Sequence, residues 1–242
     1  MQAHRIVFSC LHGIMTVNPV VENFASTGKR GRMPGMQPVV VVQHPLAQCH
    51  LAAIRAVGTP SHEFRRHLNH LARLLFLEAT RELPVQEISV QTPLKQTVGA
   101  QLARPLVCVP ILRAGLGLLD GILPLVPDAV VAHVGIRRNE ETALPQAYYA
   151  NLPANLSAAD VFLMDPMLAT GGSACEAARQ LKEAGALRIT MICVVSCPEG
   201  LAAMQLAHPD VAIVTAAIDA GLNDKCYIVP GLGDAGDRYF GT

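Results

Sequence analysis

The 242-residue sequence contains no tryptophan and no excess of either charge, with 19 lysines and arginines against 19 aspartates and glutamates. That balance removes the general attraction to phosphate backbones on which nucleic-acid binders rely. No nucleic-acid partner is expected, and any nucleotide bound is a small one. No stretch of eighteen residues is uninterruptedly apolar, so no membrane span is expected. The seven cysteines (Cys10, Cys49, Cys108, Cys175, Cys193, Cys197 and Cys226) form no C-x-x-C pair and no repeated spacing. This pattern argues for reduced thiols in a cytoplasmic protein rather than a disulfide framework or a zinc site. The nearest metal-like string, "HPLAQCH" with His44, Cys49 and His50, lacks a second ligand pair and reads as ordinary strand and helix residues. The Walker pattern G-x-x-x-x-G-K-[ST] is missing, as are internal repeats and low-complexity tracts.

What is present describes a well-buried chain: 51% of residues are apolar and only 16% charged. Surface is left over for subunit contacts, and a homo-oligomer is expected. Residues 1–35 mix "IVFSCLHGIM" with the basic "GKRGRMPGM" and show no cleavage pattern. They are expected to be either a disordered leader or a product of start-codon choice, and residues 36–242 a single domain. "PVVVVQHP" reads as a strand. "TPSHEFRRHLNHLARLLFLEATREL" reads as a helix capped by Thr59, with Pro60 in its first turn and Phe64, Leu68, Leu71 and Leu75 on one face.

From residue 106 onward, apolar runs alternate with helical segments: "LVCVP", "AVVAHVGI", "VFLMD", "RITMICVVS" and "VAIVTAAID" are the strands. Such a pattern predicts an α/β fold with a mostly parallel sheet flanked by helices. Ligands bind beyond the carboxyl ends of strands in these sheets, and those ends carry Arg113, Asp165, Cys197 and Asp219. The polar excursion "RRNEETALPQAYYANLP" reads as a protruding hairpin, either a lid over the ligand edge or a solvated loop.

The most informative stretch is "VFLMDPMLATGGSACEAARQLKEAG", residues 161–185. A buried strand ends at Asp165, a loop runs through Ala169, Thr170, Gly171, Gly172 and Ser173, and a helix begins. Glycines let the backbone approach a ligand, while loop amides and a helix N-terminus attract an anion. A phosphate monoester fits; Ser173 and Glu176 also spell an S-x-x-E capping box, which is compatible with it. A carboxylate at Asp165 needs a partner, which a ribose diol or a magnesium ion supplies. Arg113 and Arg138 are placed to clamp a second anion. A ribose with a phosphate at one end and a diphosphate at the other satisfies all of these.

Near the C-terminus, Gly231, Gly233 and Gly236 have the G-x-G-x-x-G spacing of a dinucleotide fingerprint. Only six residues follow, leaving no room for a helix, a second strand and a distal acid, and Asp234 and Asp237 repel the anion that motif attracts. A different cause is needed.

Four strings, "VPILRAGLGLLDG", "RRNEET", "DPMLATGGSA" and "YIVPGLGDAGDRYFGT", resemble in order the motifs of the uracil phosphoribosyltransferase family, over about residues 38 to 242. The resemblance implies a type I phosphoribosyltransferase fold with a small hood from the N- and C-terminal segments. It implies the conversion of uracil and phosphoribosyl diphosphate to UMP and diphosphate with magnesium, held through the diphosphate. By that likeness Asp165, Pro166, Met167, Leu168, Ala169, Thr170, Gly171, Gly172 and Ser173 bind the ribose 5-phosphate portion. Arg113 and Arg138 bind the diphosphate, and Ile228, Gly233, Asp234 and Ala235 frame the uracil. Asp234 also faces the phosphoribosyl group, and Asp165, Asp234 and Arg138 are the catalytic group. Some members are activated by GTP, a property no residue here assigns. Most of the wider superfamily carries two adjacent acids where this chain has Asp165-Pro166; the uracil branch resembles this chain in lacking the second.

Breaking the bond from ribose C1 to diphosphate builds positive charge on the sugar, so nearby carboxylates and a clamp on the leaving group lower the barrier. Hydrolysis competes, and a lid formed by residues 137–151 would exclude water. Uracil presents a carbonyl, an N–H and a carbonyl along one edge, which main-chain groups at Gly233 and Ala235 match; a plain glycine turn is the alternative. Two rivals stand beside this reading: transfer to another base such as a purine, and a nonenzymatic sensor of UMP or phosphoribosyl diphosphate.

Overall fold

The computed structural model describes residues 37–138 and 145–242, so the expected leader and residues 139–144 of the expected hairpin lie outside it. The described chain begins with β1 (Val39–Val41) and α1 (Pro45–Arg55). His44 caps α1, its Nδ1 accepting from the Leu46 N–H at 3.1 Å. α2 (Ser61–Ala79) follows and buries the expected stripe of Phe64, Leu68, Leu71 and Leu75, together with Ala72 and Phe76. Thr59 does not cap it. Pro60 holds the N-cap position with no side-chain hydrogen bond, and the Thr59 hydroxyl donates instead to the Ala53 carbonyl at 2.6 Å. The last carbonyls of α1 lack intrahelical partners, and the hydroxyl satisfies one of them.

Histidines line the seam between these helices. His50 Nδ1 lies 2.8 Å from His67 Nδ1, and the His50 ring stacks on His70 at 4.9 Å. Burial, followed by His70, His67 and Arg66, holds the His50 pKa below its ordinary 6.5. The unfolded chain therefore takes up a proton that the folded chain resists, and stability falls as pH drops below 6.5. Calorimetry should show Tm decreasing between about pH 7 and pH 5, with a shallower decrease in His50→Gln.

β2 (Val85–Gln91) and β3 (Gln96–Leu102) then form an antiparallel hairpin that sequence reading did not single out. Nearly every residue in it is exposed. The remaining strands are β4 (Leu106–Leu112), β5 (Val130–Val131), β6 (His133–Arg138), β7 (Pro145–Asn151), β8 (Asp160–Met164), β9 (Met167–Leu168), β10 (Ile189–Ile192), β11 (Val195–Ser196), β12 (Ala212–Thr215), β13 (Ala217–Ile218), β14 (Gly221–Leu222) and β15 (Ile228–Val229). Between them lie α3 (Leu116–Ile122), α4 (Gly172–Glu183) and α5 (Pro198–Ala207), and α6 (Ala235–Phe240) closes the chain.

The main sheet has the order β1-β12-β10-β8-β4-β6-β7, with β5 beside β4. Its pairings are parallel except for β6 with β7, the two arms of the expected hairpin. Successive strand residues face opposite sides. Leu106, Cys108, Phe162 and Met164 pack with α1, α2 and α3, whereas Val107, Val109, Val161 and Leu163 pack with α4 and α5. Burial on both faces is why these strands read as unbroken apolar runs.

Two of those runs, "RITMICVVS" and "VAIVTAAID", are not single strands: each breaks near its carboxyl end, and the second pieces, β11 and β13, join β9, which follows "VFLMD", in a small parallel sheet of order β13-β11-β9. This small sheet lies directly under the candidate ligand edge, because β9 leads into the loop beginning at Ala169.

Candidate active site

The Leu168 and Ala169 carbonyls, in the loop from Asp165 to Ser173, are held inward against Cys197. The Leu168 carbonyl accepts from the Cys197 N–H at 3.3 Å, and the Ala169 carbonyl from Cys197 Sγ at 3.1 Å. Gly200, in the first turn of α5, approaches the same two carbonyls so closely that a Cβ there would lie 2.4 and 2.5 Å from their oxygens. With the carbonyls facing inward, the amides face outward. Among the described residues, the N–H groups of Ala169, Thr170 and Gly171 have no main-chain partner.

The expected Ser173–Glu176 capping box is not formed. Gly171, with φ 79°, takes the N-cap position of α4 without a side-chain cap, because its left-handed backbone starts the helix ahead of Ser173. Glu176 turns instead to Arg179 (2.6 and 2.8 Å) and Gln180 (2.8 Å). Gly172 N–H, the first amide of α4, is held only by the Thr170 hydroxyl at 3.4 Å, and no side chain caps the helix at Gly171, so this N-terminus can receive an anion. Asp165, Met167–Ala174 line a cavity of about 90 Å³. At ~30 Å³ per water this holds three waters or one phosphate group. Gly200→Ala should push the loop outward, lowering stability by about 1–3 kcal/mol and weakening, in kinetics, the use of any phosphorylated substrate that the loop holds. Unchanged values in both thermal melts and kinetics would show that the loop does not depend on that contact.

Asp165 follows β8 and is half-buried. Burial pushes its carboxyl up to about 7, with the Asp234 charge adding to the rise and the Met167 amide opposing it. Two acids far apart in the sequence are thus close enough to interact. Asp234 caps α6, its Oδ1 accepting from the Asp237 N–H at 2.9 Å. A short helix does follow the glycine string, contrary to expectation, but an aspartate occupies the N-terminal position where a dinucleotide's pyrophosphate would have to sit.

Arg113 lies just beyond β4, the strand that pairs with β8 through Pro110 and Met164. Its guanidinium is 3.8 Å from Asp237 Oδ1 and 5.7 Å from the centre of the Phe240 ring, with the side chain 62% exposed. So weakly held a cation is available to an incoming anion. Arg138 ends β6, and its side chain lies outside the described residues. Ile228 and Ala235 are buried, whereas Gly233, with φ 77°, is exposed beside Asp234.

Two candidates chosen only for their place at strand ends do other work. Cys197 tethers the phosphate loop from below, its thiol pushed up to about 12 by burial. Asp219 does not face the cavity: it pairs with Arg55 through both carboxylate oxygens and accepts the Gly231 N–H. Neither Arg55 nor Gly200 was singled out in the sequence, since their significance depends on contacts across the fold.

The loop after Asp165 thus lies at the carboxyl edge of a parallel sheet, with Asp234 of the C-terminal glycine loop close enough to raise the Asp165 carboxyl. The family model described as uracil phosphoribosyltransferase matches residues 41–242. Over 203 residues the chain is 51% identical to the uracil phosphoribosyltransferases of Streptococcus equi subsp. zooepidemicus and Streptococcus pyogenes serotype M1, covering 84% of this chain and 97% of each relative. The AQ2163 protein from Aquifex aeolicus superposes with a TM-score of 0.80 at 38% identity, over 84% of this chain and 98% of that one. The chain belongs to the uracil phosphoribosyltransferase family, enzymes of pyrimidine salvage that form UMP.

Proposed function

We propose that residues 36–242 form the catalytic domain and transfer the 5-phosphoribosyl group of phosphoribosyl diphosphate to uracil through the site described above. The observation that carries this assignment is the loop from Asp165 to Ser173, where the Leu168 and Ala169 carbonyls are held inward and the N–H groups of Ala169, Thr170 and Gly171 have no main-chain partner. The 5-phosphate sits on those amides and on the N-terminus of α4. A uracil ring nitrogen bonds to ribose C1 as the bond to diphosphate breaks, and the ring nitrogen's proton is released. Asp165 and Asp234, ionised, stabilise the positive charge that develops on the sugar. Arg113 and Arg138 take the diphosphate. The β6–β7 hairpin carries Arg138 to the site and excludes water.

Magnesium fits this donor set. Among the described residues no three His, Cys, Asp or Glu side chains converge as a metal cage. Asp165 and Asp234 would offer this ion carboxylate oxygens beside the diphosphate. When bound, it neutralises charge on the leaving group.

The test is product formation with uracil, cytosine, hypoxanthine and adenine in parallel, with and without magnesium and GTP. UMP formed from uracil alone is expected. Turnover with a purine would move the assignment to another base, and binding without turnover would favour a sensor.

No described helix is long and apolar enough to cross a membrane. The thiols of Cys49, Cys108, Cys175, Cys193 and Cys197 are unbridged, which supports a cytoplasmic location. The β2–β3 hairpin exposes Val85 (63%), Leu94 (94%) and Val98 (67%), which supports a homo-oligomer. Sedimentation should give a dimer or larger species, with Val98→Lys shifted toward monomer.

A further inference from the structure

The geometry points to Arg55 and Asp219 as positioning residues that set the place of the uracil loop relative to the phosphate loop. This inference rests on residues 228–235 being the uracil site.

Both main-chain polar groups of Gly231, which belong to the peptide units on either side of its Cα, are held. Asp219 Oδ2 accepts the Gly231 N–H at 2.8 Å, and Arg55 Nη1 donates to the Gly231 carbonyl at 2.7 Å. The two side chains are joined by a forked pair, Nη1 to Oδ2 at 2.8 Å and Nη2 to Oδ1 at 2.6 Å. Asp219 is only 6% exposed and Arg55 23%. Burying such a pair costs desolvation, and replacing it with apolar groups is often neutral for stability. Its hydrogen bonds here go to one loop residue, two positions before Gly233.

A second arginine makes the reciprocal connection. Arg238, from α6, donates to the Leu232 carbonyl at 2.7 Å, to the Ala56 carbonyl at 2.6 Å and to the Ile54 carbonyl, with its guanidinium 4.6 Å from the centre of the Phe64 ring. Arg55 thus reaches from α1 into the loop, and Arg238 reaches from beyond the loop back to the end of α1. Residues 231 and 232 are clamped on both sides, and Gly233 emerges from the clamp in a left-handed conformation.

Asp219 also connects the two ligand loops. Its N–H donates to the Ser196 carbonyl at 2.8 Å, and Ser196 pairs with Leu168 in the small sheet. Leu168 is the residue before the phosphate loop proper. A base read by main-chain groups gains its selectivity from where that main chain is held, because side-chain flexibility cannot correct a displaced backbone. The Asp219 carboxylate fixes the uracil loop to the sheet that carries the phosphate loop.

The experiment compares Asp219→Asn, Arg55→Lys and the double variant Arg55→Ala/Asp219→Ala with wild type, measuring Tm and the KM for each substrate. Asn places an N–H₂ group or a single oxygen where the carboxylate faces both Arg55 and Gly231. The double variant leaves no unpaired buried charge. The expected result is a uracil KM raised about tenfold or more in Asp219→Asn and the double variant, with the phosphoribosyl diphosphate KM within about twofold. Arg55→Lys, keeping the charge but not the fork, should fall between them and wild type. A uracil KM unchanged in the double variant overturns the proposal, as does a parallel rise in both KM values, which is what general loosening produces. Gly233→Val serves as the control for the loop itself: wild-type uracil use there removes the uracil-site reading and the clamp with it. Lost uracil use in Gly233→Val beside unchanged kinetics in Asp219→Asn removes the clamp alone.

Discussion

Asp165→Asn should lower uracil-dependent diphosphate release by about 10²–10³-fold while the protein folds normally. The carboxylate follows β8 beside the space proposed for the ribose, and an amide there supplies the same shape without the charge proposed to stabilise the developing cation. Because burial raises this carboxyl to about 7, the wild-type kcat/KM for phosphoribosyl diphosphate should decline as pH falls through that value. The variant should lack that limb. The same shift has an opposite consequence for stability. Folded, the group holds its proton to about 7; unfolded, it releases it near 3.8, so stability is lost as pH rises between these values and stays lower above them. Asp165→Asn should therefore melt well above wild type at pH 8, at roughly 2–4 °C per kcal/mol for a chain of this size, by a smaller margin at pH 5, and near wild type only at about pH 4 and below. Activity and stability moving in opposite directions is the signature of a group kept for chemistry. Wild-type turnover in the variant would remove Asp165 from the mechanism.

Gly233→Val should abolish uracil use while phosphoribosyl diphosphate still binds. At φ 77° a left-handed backbone costs a residue with a Cβ about 1–2 kcal/mol, and a β-branched side chain more. Space is not the obstacle, since the nearest atom to a Cβ there is Arg238 Cδ at 3.5 Å. The backbone itself must rotate, and with residues 231 and 232 clamped the rotation falls on Gly233 through Ala235, the groups proposed to read the base. A displacement of about 1 Å at a reacting group costs on the order of a hundredfold. Titration of phosphoribosyl diphosphate by calorimetry should give an affinity within about twofold of wild type, since its phosphate rests on the loop beyond β9. UMP formation at the wild-type rate would show that the C-terminal loop does not frame the uracil.

The α/β alternation, the loop after Asp165 and the hairpin near Arg138 were legible because each is a local pattern: apolar runs, paired glycines, a polar interruption. Thr59 and Ser173 show where locality fails. Each has the residue type and spacing of a helix cap, yet Thr59 satisfies a carbonyl of the preceding helix, and Gly171 starts α4 ahead of Ser173. Competing backbone partners decide such cases, and they lie elsewhere in the fold. The β2–β3 hairpin passed unnoticed because its exposed residues give no burial pattern to read.

By itself the sequence determined the sheet class and the glycine loop between β9 and α4, since burial on both faces and the conformational freedom of glycine are properties that neighbouring residues express without help. Only the tertiary structure decided which strand-end residues meet the ligand and which hold those that do. Asp165 and Asp219 both stand at the ends of apolar runs, but one faces the cavity beside Asp234 and the other is taken up by Arg55 and Gly231. A carboxylate is assigned by its partners, and Arg55 comes from a helix far away in the chain that reaches Asp219 only after folding.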